Sequence, residues 1–320
     1  MNMNKGRNMF GAASADSLMA TSDGAPPPFI LKSATGTPGA FVFAAPHSGR
    51  HYPASMIAAA RIGAHSLRMS EDAYVDHLFG AAPQHGASLL VATHARAYLD
   101  LNRGEAELDP DMFSPGLDEH MLDISHRVKA GLGLVPRLVA EGLAIYKGPL
   151  PAREAFHRIE SVYRPYHEKL ASLLKARSQQ FGYAVLVDCH SMPSEAQAAR
   201  RRGRAAGPDI VLGDCWGASC ARELTSLAEE LLIRAGFSVR RNVPYSGGFS
   251  TQNYGDPNKG IHALQIEINR GLYMHEETLE PRMEFAEVKE RLTWVTEMLI
   301  HDFARQIRNR QREGQPRAAE

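Results

Sequence analysis

The sequence predicts one three-layer α/β/α domain built on a mixed, mostly parallel sheet. Three observations lead there. Short apolar runs rich in Val, Leu and Phe stop at Pro, Gly or Ser, as buried strands do. Helix-like segments alternate with those runs, which calls for a sheet covered on both faces. No Gly/Pro linker interrupts the middle of the 320-residue chain, so it is not divided.

In chain order, residues 1–28 read as a flexible leader, rich in Ala, Ser, Gly and Asp and closed by Pro26-Pro27-Pro28. A single folded domain is assigned to 29–308 and a polar tail to 309–320. Strands are expected at 39–46, 88–94, 97–101, 184–189, 209–213, 237–242 and 262–269. Helices are expected at 54–60, 71–82, 117–127, 151–181, 218–235 and 282–308. In 151–181, Phe156, Ile159, Val162, Tyr163, Tyr166, Leu170, Leu173 and Leu174 form one stripe at helical spacing, which marks core.

Composition narrows the function. Lys plus Arg and Asp plus Glu each number 36, and a pI near 7.3 gives no reason to expect nucleic acid as partner. No apolar run approaches the roughly 18 residues that span a bilayer. Lys5 and Arg7 are followed by a stretch too broken for a signal-peptide core. Three cysteines (Cys189, Cys215, Cys220) are few and odd in number for a disulfide scaffold, so a reduced, cytoplasmic enzyme is expected.

Two histidines end apolar runs: His47 in Phe41-Val42-Phe43-Ala44-Ala45-Pro46-His47-Ser48-Gly49, and His190 in Ala184-Val185-Leu186-Val187-Asp188-Cys189-His190-Ser191. Ligands of open α/β sheets bind outside the carboxyl ends of strands. Two imidazoles delivered there, with a carboxylate, match what a catalytic Zn²⁺ needs. Arg50 excludes a compact His-x-x-Glu pair, so the carboxylate is sought in Ser70-Glu71-Asp72-Ala73-Tyr74-Val75-Asp76. Spacing does not separate Glu71, Asp72 and Asp76, and acids in the first turn of a helix are favoured without any metal. Asp188, two residues before His190, is assigned to the opposite face of the strand, which leaves it without a direct role. Cys189 has no second cysteine at ligand spacing. His262 opens a strand that leads to a carboxylate and stands out among the other histidines.

Read as a strand, Arg96-Ala97-Tyr98-Leu99-Asp100-Leu101-Asn102-Arg103 places Arg96, Tyr98, Asp100 and Asn102 on one face. Arginine's forked donors suit a carboxylate, an Asn beside it can donate or accept, and Asp100 would hold an arginine in place. A structural Arg–Asp network is the competing explanation. In Ile261-His262-Ala263-Leu264-Gln265-Ile266-Glu267-Ile268-Asn269-Arg270, Glu267 lies between Ile266 and Ile268. Partial burial there would raise its pKa towards that of a general base, or it forms an ordinary ion pair with Arg270 or another cation. Pro244-Tyr245-Ser246-Gly247-Gly248-Phe249 reads as a substrate-side loop.

Taken together these stretches resemble the N-formylglutamate amidohydrolase family. The matching pieces are Pro46-His47-Ser48-Gly49, Asp72, Arg96 with Asp100-Leu101-Asn102-Arg103, Tyr163-Arg164-Pro165-Tyr166-His167, Asp188-Cys189-His190-Ser191, Gly217-Ala218-Ser219-Cys220 and Gln265-Ile266-Glu267-Ile268. Their order runs from about residue 39 to 275. The resemblance implies a zinc-carboxypeptidase-like fold of the phosphorylase/hydrolase-like kind, and hydrolysis of N-formyl-L-glutamate to formate and glutamate in histidine degradation. The metal and arginine pattern is similar, more distantly, to aspartoacylase and succinylglutamate desuccinylase.

By the resemblance, His47, Asp72 and His190 are the metal ligands, with Glu71 as the alternative to Asp72. Glu267 handles protons and Arg96 faces the scissile carbonyl. Arg103 and Asn102 grip the substrate carboxylate, with Asp100, Ser48 and Gly248 also on the substrate side. Zn²⁺ is the expected cofactor, with Co²⁺, Mn²⁺ or Fe²⁺ as alternatives. The expected partner is a small acidic N-acyl amino acid, not nucleic acid or membrane. Two departures are Cys189 between the Asp and His, and the basic stretch Arg200-Arg201-Arg202-Gly203-Arg204. The rival functions are a zinc amidase on another N-acyl amino acid or peptide, and a non-catalytic binding protein for acidic small molecules. A serine hydrolase is disfavoured because no Gly-x-Ser-x-Gly elbow occurs.

Overall fold

The computed structural model describes residues 24–140, 142–194 and 207–313; the basic stretch 200–204 lies outside them. Seven strands form the central sheet: β1 (Phe29–Lys32), β2 (Phe41–Ala45), β3 (Ser88–Ala92), β4 (Ala184–Met192), β5 (Ile210–Gly213), β6 (Val239–Arg241) and β7 (Ile261–Asn269). Their order across the sheet is β1-β3-β2-β4-β7-β5-β6. β1 runs antiparallel to β3 and β5 antiparallel to β7. The other neighbours are parallel. The sheet is therefore mixed and mostly parallel, as expected.

Side chains alternate across each strand, and this sorts the core into two layers. Phe41, Phe43, Val185, Val187, Leu264 and Ile266 face one side, where helices Arg222–Arg234 and Phe285–Glu313 cover them through Leu224, Leu231, Leu292 and Leu299. Val42, Ala44, Ala184, Leu186 and Ala263 face the other, under helix Arg164–Phe181 through Tyr166, Leu170 and Leu174. The expected helix 151–181 forms as Ala152–Arg158, a π turn at Ile159–Tyr163, and Arg164–Phe181. Pro165 cannot donate to the preceding turn and its ring crowds the carbonyl there, so a wider turn before it is the physical remedy. Within the stripe, Phe156 turns out to solvent.

Several expected elements differ. Residues 97–101 are not a strand: Tyr98 and Leu99 both donate to the Ala95 carbonyl, winding the chain into a turn. A period-two pattern in a short stretch does not exclude such winding, and Arg96 meets Asp100 at helical i, i+4 spacing. The helix expected at 71–82 shrinks to Val75–Leu78 and a 3₁₀ turn at Ala82–His85, because Tyr74 sits at φ 65° and breaks it. The segment 117–127 splits into Glu119–Met121, capped by Asp118, and His126–Lys129, capped by Ser125. β1 was not anticipated; it is a four-residue edge strand with only alternate residues half-buried. The last helix continues to Glu313, past the expected start of the tail. Among the described residues no helix is long and apolar enough to cross a membrane.

The chain passes from β2 to β3 on one side and from β4 to β5, beyond β7, on the other, in opposite directions across the sheet, so a crevice opens beyond the carboxyl ends of β2 and β4. His167 packs beneath it. Its Nε2–H donates to the Leu101 carbonyl (3.0 Å), so Nδ1 accepts from the Tyr254 hydroxyl (2.8 Å). Burial holds the imidazole neutral down to about pH 4. The unfolded chain takes up this proton near pH 6.5, the folded chain only near 4. Stability should therefore fall as pH drops through that window, with a slope from this group of about 1.4 kcal/mol per pH unit. Urea unfolding at pH 7, 6 and 5 checks this, and H167Q, which cannot titrate, should show a shallower slope.

Candidate metal centre and active site

The inner-face alternation of β4 runs Ala184, Leu186, Asp188, His190, and that of β7 runs Ala263, Gln265, Glu267. Each strand changes from apolar to polar along one face as it approaches the crevice. Parallel register then sets Gln265 beside Asp188 and Glu267 beside His190. His47 arrives from the neighbouring β2, whose last residue is Ala45. Gly49 lets this loop pass close to the next one, since a Cβ there would lie inside contact distance of the His94 carbonyl.

Asp72 faces both imidazoles. Its Oδ2 stands 3.2 Å from His47 Nδ1 and 3.0 Å from His190 Nδ1. Donor atoms of these three buried residues all lie within 4.8 Å of one another, a grouping able to hold a metal ion. The far side of each ring is occupied by a carboxylate: His47 Nε2 meets Asp100 Oδ1 at 2.7 Å and His190 Nε2 meets Asp188 Oδ2 at 2.9 Å. An imidazole that gives its Nε2 hydrogen to a carboxylate keeps its Nδ1 lone pair for a cation. The other Asp72 oxygen, Oδ1, accepts from the Ser191 hydroxyl and from Arg270 Nη2, both at 3.0 Å. Burial would raise the Asp72 pKa, but while each ring also carries an Nδ1 hydrogen, hydrogen bonds from His190 and His47 hold it well below the usual carboxylate range; a cation would take the place of those hydrogens.

Glu71 is turned away. It accepts from the Tyr52 hydroxyl at 2.7 Å and from Arg68 Nε at 3.1 Å, and it does not belong to the group. Asp76 pairs with Arg50. Asp188 corrects the expectation that it faces away from His190: residues two apart in a strand share a face, and the period-two rule was the signal that could have placed it. Arg270 pairs with Asp72 rather than with Glu267. His262 lies at the opposite end of β7, accepting from the Ala221 N–H and packing on Phe303.

A cavity of about 650 Å³ opens in front of these groups, bordered by Arg96, Arg103, Gly248 and Glu267 among others. Asp100 does not offer itself to a ligand. Its Oδ1 accepts from His47 Nε2 and, at 2.9 Å, from the Asn102 N–H, while its Oδ2 accepts from Arg96 Nε at 3.0 Å and pairs with Arg103 Nη2 at 3.4 Å. Burial alone would raise its pKa, and Arg103 and Arg96 bring it well below the ordinary value. Asn102, expected on the substrate, spends its amide on protein: Nδ2 donates to Asp188 Oδ2 (3.4 Å) and Oδ1 accepts from the Ser250 N–H (2.8 Å). Its close approach explains Gly248, where a Cβ would collide with that amide. Ser48 is not at the cavity. Its hydroxyl donates to the Asp72 carbonyl and accepts from the Asp76 N–H, clasping the two ligand loops together.

Arg103 gives Nε–H to the Leu132 carbonyl and Nη1–H to the Asn102 carbonyl, both at 2.7 Å. Glu267 accepts from Gln265 Nε2 at 2.8 Å. Burial pushes its pKa up to about 7, with His190 working in the opposite direction. That value suits a group that takes up and releases a proton near neutral pH.

A family model described as N-formylglutamate amidohydrolase matches residues 39–274. An N-formylglutamate deformylase of Pseudomonas putida is 36% identical over 208 residues, covering 64% of this chain and 71% of that protein. Its namesake from Pseudomonas aeruginosa is 33% identical over 209 residues, with the same coverage of 64% and 71%. The crystal structure of N-formylglutamate amidohydrolase from Ralstonia eutropha JMP134 superposes with a TM-score of 0.80 at 35% identity, covering 88% of this chain and 99% of that one. Gene product Atu2144 of Agrobacterium tumefaciens, 17% identical with a TM-score of 0.60 over 87% of this chain and 96% of its own, shares the fold.

Two variants test the geometry. D188N should weaken divalent-metal binding about 10–100-fold, because the His190 ring loses its orienting charge; competition with a chromogenic chelator measures it. G49A should destabilise the fold and weaken metal binding together, since the loop carrying His47 must move; thermal unfolding and the same competition assay read both effects.

Proposed function

The chain belongs to the N-formylglutamate amidohydrolase family, and from that premise we propose that it hydrolyses the formyl amide of N-formyl-L-glutamate, giving formate and L-glutamate, as a step of histidine degradation. The observation that carries this reading is the grouping of His47, Asp72 and His190 beside Glu267 in one arginine-lined cavity.

Two imidazoles and one carboxylate are a donor set suited to a divalent ion, Zn²⁺ foremost, with Co²⁺, Mn²⁺ or Fe²⁺ able to take the same donors. The ring nitrogens turned away from Asp72 are already committed to carboxylates, and Asp72 Oδ1 is already saturated, so Nδ1, Nδ1 and Oδ2 are the atoms left to hold it. Such an ion supplies Lewis acidity, polarising a carbonyl and acidifying water.

The chain's own groups account for the rest. Glu267 accepts a proton from the attacking water at its carboxylate and returns it to the departing amine nitrogen. Arg96, fixed by Asp100, offers a cation to the oxygen of the formyl group as charge develops on it. One such well-placed donor is worth about 3–4 kcal/mol in other hydrolases. Arg103, held by two carbonyls and Asp100, keeps the substrate's charge on the cavity wall, and this remote binding orients the amide. The apolar wall of Leu132, Leu138 and Val139 favours one second reading, the same hydrolysis on a bulkier N-acyl group.

The first test is formate release from N-formyl-L-glutamate by metal-loaded protein, expected to stop on chelation. A panel of formyl, acetyl and succinyl substrates separates the two readings. E267Q, with its metal content verified, should lose about 10²–10⁴-fold in kcat; full activity would remove Glu267 from the mechanism. Glu267 works as the base only when deprotonated, so kcat/KM should fall as pH drops through about 7. A bound cation moves that limb to lower pH, and E267Q should lack it.

A further inference from the structure

Arg96, Arg103 and Arg127 line the same cavity. Their charges order them outward from the metal centre. Arg96 interacts with Asp72 and Glu267, whereas Arg103 lies within electrostatic reach of both Arg96 and Arg127. Arg96 and Arg103 share one counterion, Asp100. Arg127 is half-buried, and among the described residues no carboxylate forms an ion pair with it. Glu107 does not serve, because its oxygens accept from the Gly104 N–H at 2.8 Å and the Ser125 hydroxyl at 2.6 Å.

The position of Arg127 is fixed by the same segment that holds Arg103. The Leu132 N–H donates to the Arg127 carbonyl at 2.8 Å, and the Leu132 carbonyl accepts from Arg103 Nε at 2.7 Å. Ser125 caps the helix His126–Lys129 that bears Arg127, and Glu107 ties that cap to the residue after Arg103. Three arginines thus line one cavity with Asp100 as the one carboxylate paired with Arg96 and Arg103, and with the backbone of Arg127 held beside Arg103. Such an excess of fixed positive charge is relieved by an anion that is not part of the chain.

We propose that Arg127, with Arg103, receives the substrate carboxylate remote from the scissile amide, and so selects dianionic over monoanionic N-formyl amino acids. This rests on the deformylase reading above and names the residue that sets its specificity. The amide lies at the inner end of the row, by Arg96; the side-chain carboxylate of a glutamyl substrate extends outward to Arg127.

Steady-state kinetics of the metal-loaded full chain and of R127Q and R127K, with N-formyl-L-glutamate and N-formyl-L-glutamine, test it. In R127Q the preference for the glutamyl substrate should fall roughly tenfold or more, through KM rather than kcat, and R127K should recover part of it. Equal losses on both substrates, or an unaltered preference, overturn the proposal. Calorimetric titration with glutarate, against butyrate as monoanion, separates the two failures. If N-formyl-L-glutamate is not hydrolysed but glutarate binds the parent chain roughly tenfold tighter than R127Q, the deformylase reading fails and the anion clamp stands. Equal glutarate binding by both proteins removes the clamp whatever the turnover.

Discussion

The site is organised around the Asp100 carboxylate. It is buried, and it takes hydrogen bonds from His47, Arg96 and the Asn102 backbone while pairing with Arg103. Four groups from two stretches of chain are therefore held by two oxygen atoms. Stripping a buried ion pair of one member costs about 3–5 kcal/mol, because the other charge is left uncompensated. Here two arginines would be stranded at once, and His47 would lose the acceptor that orients its ring. The sharing has an electrostatic result as well. One anion cannot neutralise two guanidinium groups, so the cavity wall stays positive while remaining rigid.

Asp188 does the corresponding work on the other side. It braces His190 and receives the Asn102 amide, which in turn accepts from the Ser250 N–H. The two imidazoles are thus each backed by a carboxylate, and Asp72 faces both. Asp72 is itself oriented by Ser191 and Arg270. Every ligand candidate is fixed by a partner that is not a ligand, the arrangement that preorganises a metal site. The loops at the crevice are clasped in the same spirit, Ser48 joining the loop of His47 to that of Asp72.

Much of this was legible in the chain. The apolar runs ending in His47 and His190 set both strands and both imidazoles, since a buried strand in a covered sheet has few other sequence forms. The polar face of β7 was readable from strict alternation. What was not legible depended on contacts between distant segments. The stretch from Arg96 to Arg103 alternates like a strand, yet it winds because its donors find Asp100 locally and the Leu132 and Leu134 carbonyls from afar. Glu71 and Asp72 are neighbours with nearly the same chemistry, and only Tyr52 and Arg68, which claim Glu71, separate them. Asn102 and Ser48 have polar groups suited to a ligand, but protein partners claim them first. Arg127 carries no local signal at all; its place on the cavity follows from how the segment around Leu132 folds back on Arg103.

The alternation of β4 has a consequence for how this gene can change. All nine residues from Ala184 to Met192 are buried; Val185, Val187 and Cys189 face one hydrophobic layer, and Ala184, Leu186, Asp188 and His190 face the side that carries the candidate site. The strand behaves as a reading frame written in side chains. Substitutions edit single letters of it, whereas deletion of one residue between Val185 and Asp188 would shift the frame. Cys189 would then take the place of Asp188, and His190 would be driven among Phe43 and Ile266. Lineages of this protein can therefore exchange single residues of β4, but the strand tolerates no insertion or deletion of a single codon.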